Sequence, residues 1–177
     1  MDIIKSLLPN DDPKSIEHLT SIFRDHYDHQ AYQTTTEYDG ITKALKTISK
    51  YDLSLYIATN KPIIPTNKLI KLFSWEHLFT SVYSLNSFNP PKPTKSELLK
   101  AVCIDNGIPP IKALYVGDRQ EDRQAAYATG MRFEMVQWGY DPQNVIADDT
   151  TIISTPERLA QIIDHHLRCL PNDSHIL

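Results

Sequence analysis

A chain of 177 residues, 41% hydrophobic and 23% charged, has the composition of an ordinary globular domain. It is long enough to bury roughly 70% of the surface its unfolded form exposes, which excludes disordered, collagen-like and disulfide-stapled classes. The 18 basic and 22 acidic residues leave a net charge of -4, and no basic run is long enough to track a phosphodiester backbone, so no nucleic-acid partner is expected. Cys103 and Cys169 lie far apart in segments of helical periodicity, where a small apolar filler explains them better than a bridge or a metal site, and a reducing compartment fits. Residues 1–9 are too short and too early in charge for a signal peptide, and no run of about 18 apolar residues follows. The expectation is a soluble, cytoplasmic protein with no membrane partner.

Ile16, Leu19, Ile22, Phe23, His26 and Tyr27 recur at three- and four-residue steps behind an Asp-Asp-Pro start at Asp11, which predicts an amphipathic helix within residues 1–38. A second helix opens after Tyr38-Asp39-Gly40, with Ile41, Ala44, Leu45 and Ile48 on one face, and ends near Tyr51-Asp52. The apolar run 53–59 then suits a buried parallel strand. Further strands are predicted at 81–85, 113–116 and 132–136, and helices at about 65–73, 95–105, 120–129 and 156–168. Thr155 is placed to cap the last helix, with Pro156 in its first turn. Asn89-Pro90-Pro91-Lys92-Pro93-Thr94 is too rich in proline to be anything but a fixed loop. Alternating strands and helices imply an α/β fold, a parallel sheet between two helical layers with right-handed crossovers. Ligands of such sheets bind beyond the carboxyl ends of the strands, which directs attention to the residues following each apolar run.

Three strand ends carry polar groups of one type. Thr59-Asn60-Lys61 offers a hydroxyl and backbone N–H groups to an anion, although threonine there also serves simply to cap a turn. Lys92 lies between Pro91 and Pro93, which limit where its ammonium points, although a single lysine in a loop is more often solvated. Gly117-Asp118-Arg119-Gln120-Glu121-Asp122 is the most specific. Its two aspartates, four apart at a strand-to-helix junction, converge on one point and make a hard-oxygen site for Mg²⁺. The competing reading is an N-capping Asp118 with Asp122 favouring the helix dipole.

Taken together, Thr59-Asn60-Lys61, Lys92-Pro93, and Val116-Gly117-Asp118 through Asp122 with Ala125, Ala126, Gly130 and Trp138-Gly139-Tyr140 resemble motifs two, three and four of the haloacid dehalogenase superfamily. The similarity is closest to its phosphoglycolate-phosphatase-like branch and covers residues 38 to about 168. It implies a three-layer Rossmann-like core over residues 38–177, with residues 1–37 as the trailing part of a helical cap that returns through Tyr38-Asp39-Gly40. It further implies that Thr59 and Asn60 bind substrate phosphate, that Thr59 and Lys92 serve catalysis with Lys92 neutralising developing charge, and that Asp118 binds Mg²⁺ with support from Asp122. The substrate class is a small phosphorylated metabolite.

The same resemblance leads one to expect an Asp-x-Asp pair at the end of an N-terminal strand, the first aspartate attacking phosphorus. None of the 15 aspartates has another two positions later. The family's central first strand is therefore absent too, between the strands at 54–59 and 113–116. Unpaired backbone there costs several kcal/mol unless something covers it. Three remedies were open from the sequence: direct pairing of the two neighbours, residues 1–8 as a substitute strand, or donation from a second chain, which favours a homo-oligomer. Ile3, Ile4, Leu7 and Leu8 fit a helical step better than a strand step, which ranks the second remedy last. The chain is thus expected to be impaired or inactive alone. The alternatives are a non-catalytic phosphate- or protein-binding remnant and an incomplete gene model. His26 with His29, and His165 with His166, lack the Cys or carboxylate partners of a metal site.

Overall fold

The computed structural model describes residues 12–29, 31–139, 152–169 and 175–176. Helix α1 (Pro13–His29) starts where the sequence signals it. The Asp12 carboxylate accepts from the backbone N–H of Lys14 at 2.9 Å and of Ser15 at 3.3 Å, satisfying amide groups that the first turn leaves without helical partners. The hydrogen bonds from Ser15, side chain first, hold this carboxyl below its usual pKa. After a 3₁₀ turn at Ala31–Thr34, the chain enters helix α2 (Ile41–Ile48) through Gly40, whose φ of +80° is a conformation glycine adopts without strain.

The core follows as β1 (Ser54–Thr59), α3 (Ile63–Leu72), β2 (Ser81–Ser84), α4 (Lys95–Asp105), β3 (Ala113–Gly117), α5 (Gln120–Thr129), β4 (Arg132–Val136), β5 (Ile152–Ile153), α6 (Pro156–Cys169) and β6 (His175–Ile176). The four strands and the four helices predicted after residue 60 are present with bounds within two residues, whereas α2 ends at Ile48, three residues short of the predicted end near Tyr51. Thr155 caps α6, accepting from the Arg158 N–H at 3.2 Å, with Pro156 at its first position. The two-residue strands β5 and β6 were not expected. Residues 1–11, with the helical step of Ile3 to Leu8, lie outside the described residues.

The sheet order is β2-β1-β6-β3-β4-β5, and every pairing is parallel. Successive side chains of a strand point to opposite faces, and the core divides accordingly. Tyr56, Ala58, Ala113 and Tyr115 pack with Leu98, Leu99 and Val102 of α4 and with Ala125 and Ala126 of α5. Leu55 and Leu114 face the other way, onto Ala44 and Ile48 of α2 and onto Leu159, Ala160 and Ile163 of α6. Leu98, Leu99 and Val102 are wholly buried, each stabilising the fold by about 1.5–3 kcal/mol. Cys103 lies buried in the same layer as a free thiol, in accord with its reading as an apolar filler.

Of the remedies read from the sequence, direct pairing of the two neighbours is not the one found, and residues 1–8 lie outside the described residues. β1 and β3 do not pair with each other. Instead β6 lies between them, His175 against Ser54 and Ala113, and Ile176 against Leu55 and Leu114. The pairing answers the need for backbone partners at the amino ends of both neighbours. A two-residue strand has no period to read, so its place is set by the opening in the sheet.

Candidate functional site at the carboxyl rim of the sheet

Because the strands are parallel, their carboxyl ends share one rim. Thr59 ends β1 and lies in register with Ser84, the last residue of β2. The Lys92 N–H donates to the Leu85 carbonyl at 2.7 Å, which docks the proline loop just past β2. Gly117 ends β3, and Asp118 follows it. The topology thus brings Thr59, Asn60, Lys92, Asp118 and Asp122 to the same end of the sheet.

Their local settings differ. The Thr59 hydroxyl oxygen accepts from the Lys61 N–H at 3.1 Å, so the turn-capping role is realised, and a hydroxyl used in this way keeps its proton to donate. Asn60 is exposed. The Lys92 ammonium lies 4.9 Å from the centroid of the Phe88 ring, a cation–π contact, and Phe88 stacks on Tyr83 at 5.7 Å. The N-cap position of α5 is Arg119, with no side-chain cap, so capping does not account for Asp118. A Cβ built on Gly139 would stand 2.0 Å from the Asp118 Cβ, and one on Gly117 2.6 Å from the Asp122 Cβ. Both carboxylates are seated where only glycine leaves room.

Asp122 is not turned out to solvent. Its Oδ1 lies 3.3 Å from the Lys95 ammonium, with the two side chains 11% and 14% exposed, and it accepts from the Tyr115 hydroxyl at 3.1 Å. Lys95 also donates to the Ala58 carbonyl at 3.2 Å and to the Tyr115 oxygen at 3.0 Å. An ammonium has three N–H groups, and here each has an acceptor. Burial first, then Asp122 and Asp118, push the Tyr115 pKa well above its usual value, so the phenol stays protonated as a donor. Sequence reading missed Lys95 and Tyr115. One signal was available: a lysine in the first turn of a helix opposes the helix dipole and so calls for a specific anionic partner.

Among the described residues, no group of three or more His, Cys, Asp or Glu side chains is arranged to hold a metal. Mg²⁺ does not need one, since it is commonly bound by one or two carboxylates, with water and substrate phosphate completing its shell. The hard oxygens of Asp118, with Asp122 behind it, fit that chemistry.

Residues 1–136 match the sequence model described as Haloacid dehalogenase-like hydrolase. The chain belongs to this family. The match starts upstream of residue 38, where the motif resemblance begins. The chain is 28% identical over 151 residues to a phosphoglycolate phosphatase of Aquifex aeolicus, covering 85% of this chain and 70% of that one. It is 27% identical over 161 residues to an N-acetylmuramic acid 6-phosphate phosphatase of Pseudomonas aeruginosa, covering 88% and 70%. Against other phosphoglycolate phosphatases the chain spans only about half of the relative's length, down to 49%. In fold it resembles a haloacid dehalogenase-like hydrolase of Streptococcus pneumoniae, with a TM-score of 0.77 at 21% identity over 90% of this chain and 75% of that one. The described part of this family member contains no helix long and apolar enough to cross a membrane.

Proposed function

We propose that this chain is a phosphatase-like hydrolase-family protein that binds a small phosphorylated metabolite with Mg²⁺ at the carboxyl rim, and that alone it turns substrate over poorly or not at all. The observation that carries the reading is the arrival of Thr59, Lys92 and Asp118 at one rim from three separate strand ends. The named activities of the relatives, phosphoglycolate and a 6-phosphosugar, suggest a small phosphomonoester as the substrate class.

In this reading the Thr59 O–H and the backbone around Asn60 donate to phosphate oxygens, and Lys92 leaves its aromatic seat to meet the phosphate charge. Asp118 would hold Mg²⁺, with Asp122 in support. The ion, when bound, offsets phosphate charge. Phosphoryl transfer depends mostly on such positioning and electrostatic stabilisation. What this chain lacks is a carboxylate in the Asp-x-Asp spacing to accept the phosphoryl group. Residues 1–37 belong, on the same reading, to a cap over the rim.

The absent pair also favours a second reading, a non-catalytic phosphate- or protein-binding remnant. Phosphate release from p-nitrophenyl phosphate in Mg²⁺ tests the expected lack of turnover. Release indistinguishable from a heat-denatured control agrees with the proposal, whereas fast turnover abolished by Asp118→Ala overturns it and calls for a different nucleophile.

A further inference from the structure

The loop after β2 fixes its backbone and leaves one long side chain a choice of position. Pro91 and Pro93 on either side of Lys92 narrow the conformations of the backbone there, and the Lys92 N–H is tied to the Leu85 carbonyl at 2.7 Å. What can swing is the four-carbon stem. Its ammonium lies 4.9 Å from the centroid of the Phe88 ring, and among the described residues no carboxylate pairs with it.

The ring is itself held. Phe88 stacks on Tyr83 with centroids 5.7 Å apart and planes 11° from parallel. The Tyr83 hydroxyl donates to an Asp105 carboxylate oxygen at 2.6 Å and accepts from the Asn106 amide at 3.0 Å. That amide also donates to the Val102 carbonyl at 2.8 Å. Both rings pack, partly buried, against the core layer that contains α4. The carboxyl end of α4 thus fixes Tyr83, Tyr83 fixes the plane of Phe88, and Phe88 offers its electron-rich face to the ammonium.

We infer that Phe88 is a positioning residue: its ring holds the Lys92 ammonium in a resting seat from which a phosphate group must draw it, and the strength of that seat sets how tightly the rim binds phosphate. The inference rests on the phosphate reading above and adds how that site is regulated. An ammonium on the ring is not on the ligand, so the observed affinity is the intrinsic one reduced by the fraction of chains in which Lys92 has left its seat. A cation–π contact at a partly exposed place favours the seat by about two- to fivefold. The same ring receives the ammonium when phosphate departs, which favours release over retention.

The test is calorimetric titration of the full chain with inorganic phosphate in Mg²⁺, for the native protein, Phe88→Leu, Phe88→Tyr and Lys92→Met. Leucine keeps an apolar side chain without a π face, and should tighten phosphate binding about two- to fivefold. Tyrosine keeps the face and should restore the native affinity. Lys92→Met should bind phosphate more weakly, and adding Phe88→Leu to it should change nothing further, a result that general loosening of the loop does not produce. NMR of the native chain gives a reading that needs no variant. The Lys92 Hε resonances should lie upfield through the Phe88 ring current and return toward ordinary lysine values as phosphate is added. Phosphate binding that needs Asp118 but is unchanged or weakened by Phe88→Leu overturns the inference and leaves the phosphate reading standing. An equal effect of Phe88→Leu with and without Lys92, or Lys92 resonances that ignore bound phosphate, does the same. Failure of every chain to bind phosphate overturns both.

Discussion

The Lys95 ammonium and the Asp122 carboxylate are 3.3 Å apart, and both side chains are nearly buried. Each N–H of Lys95 has an acceptor, on β1, β3 and α5 in turn, so one side chain ties three elements together beneath the rim. Removing one partner of such a pair strands the other charge away from water. Asp122→Ala should cost about 3 kcal/mol in urea unfolding. Lys95→Met should cost less, because the Tyr115 hydroxyl still donates to the carboxylate. The double variant should show a coupling of about 1–2 kcal/mol. Strict additivity would show that the pair is not formed in solution.

Glycines 117, 139 and 130 make a graded series. Gly117→Ala brings a Cβ to 2.6 Å from the Asp122 Cβ, and Gly139→Ala brings one to 2.0 Å from that of Asp118. Each must move a carboxylate of the site, and overpacking of this kind costs about 1–3 kcal/mol. Both should weaken Mg²⁺ binding. Gly130 closes α5 at φ +78° with open space around it, so Gly130→Ala should cost about 1 kcal/mol through backbone strain and leave Mg²⁺ binding unchanged. Calorimetric titration of the three variants with Mg²⁺ checks the ordering.

Burial pushes the Cys103 thiol up from 9.0 to about 11, and Tyr115 is raised as well. Both groups are neutral when protonated, and the folded state holds their protons more tightly than the unfolded state. Their contribution is complete below about pH 9 and declines as pH rises through the folded-state values. Between pH 9 and 11 the urea midpoint of the native chain should fall further than that of Cys103→Val. Parallel midpoints for the two chains would show that the thiol does not titrate in its buried place.

Much of the fold was legible because each of β1 to β4 is a short apolar run closed by polar residues, and each core helix has a start signal or an apolar face. Thr155 and Asp12 worked as caps where the sequence placed them. What escaped were β5 and β6, whose two residues carry no pattern and whose positions depend on neighbours distant in the chain. The site divides in the same way. Thr59 and Asp118 follow from the rule that ligands gather at strand ends. The saturated state of Lys95 does not, because its acceptors sit on Ala58, Tyr115 and Asp122, and nothing local to residue 95 names them. Lys92 was read as neutralising substrate charge, and what the sequence did not show is that its ammonium rests on Phe88, four residues earlier in a loop whose path is set by prolines.

The most direct measurement is calorimetric titration of the full chain with inorganic phosphate, with and without Mg²⁺, repeated on Asp118→Asn and Thr59→Val. The proposal predicts phosphate binding that tightens at least about tenfold in Mg²⁺. Asp118→Asn should remove the metal dependence, and Thr59→Val should weaken binding in both conditions. Phosphate binding that ignores Mg²⁺ and both substitutions, or no binding at all, would contradict it.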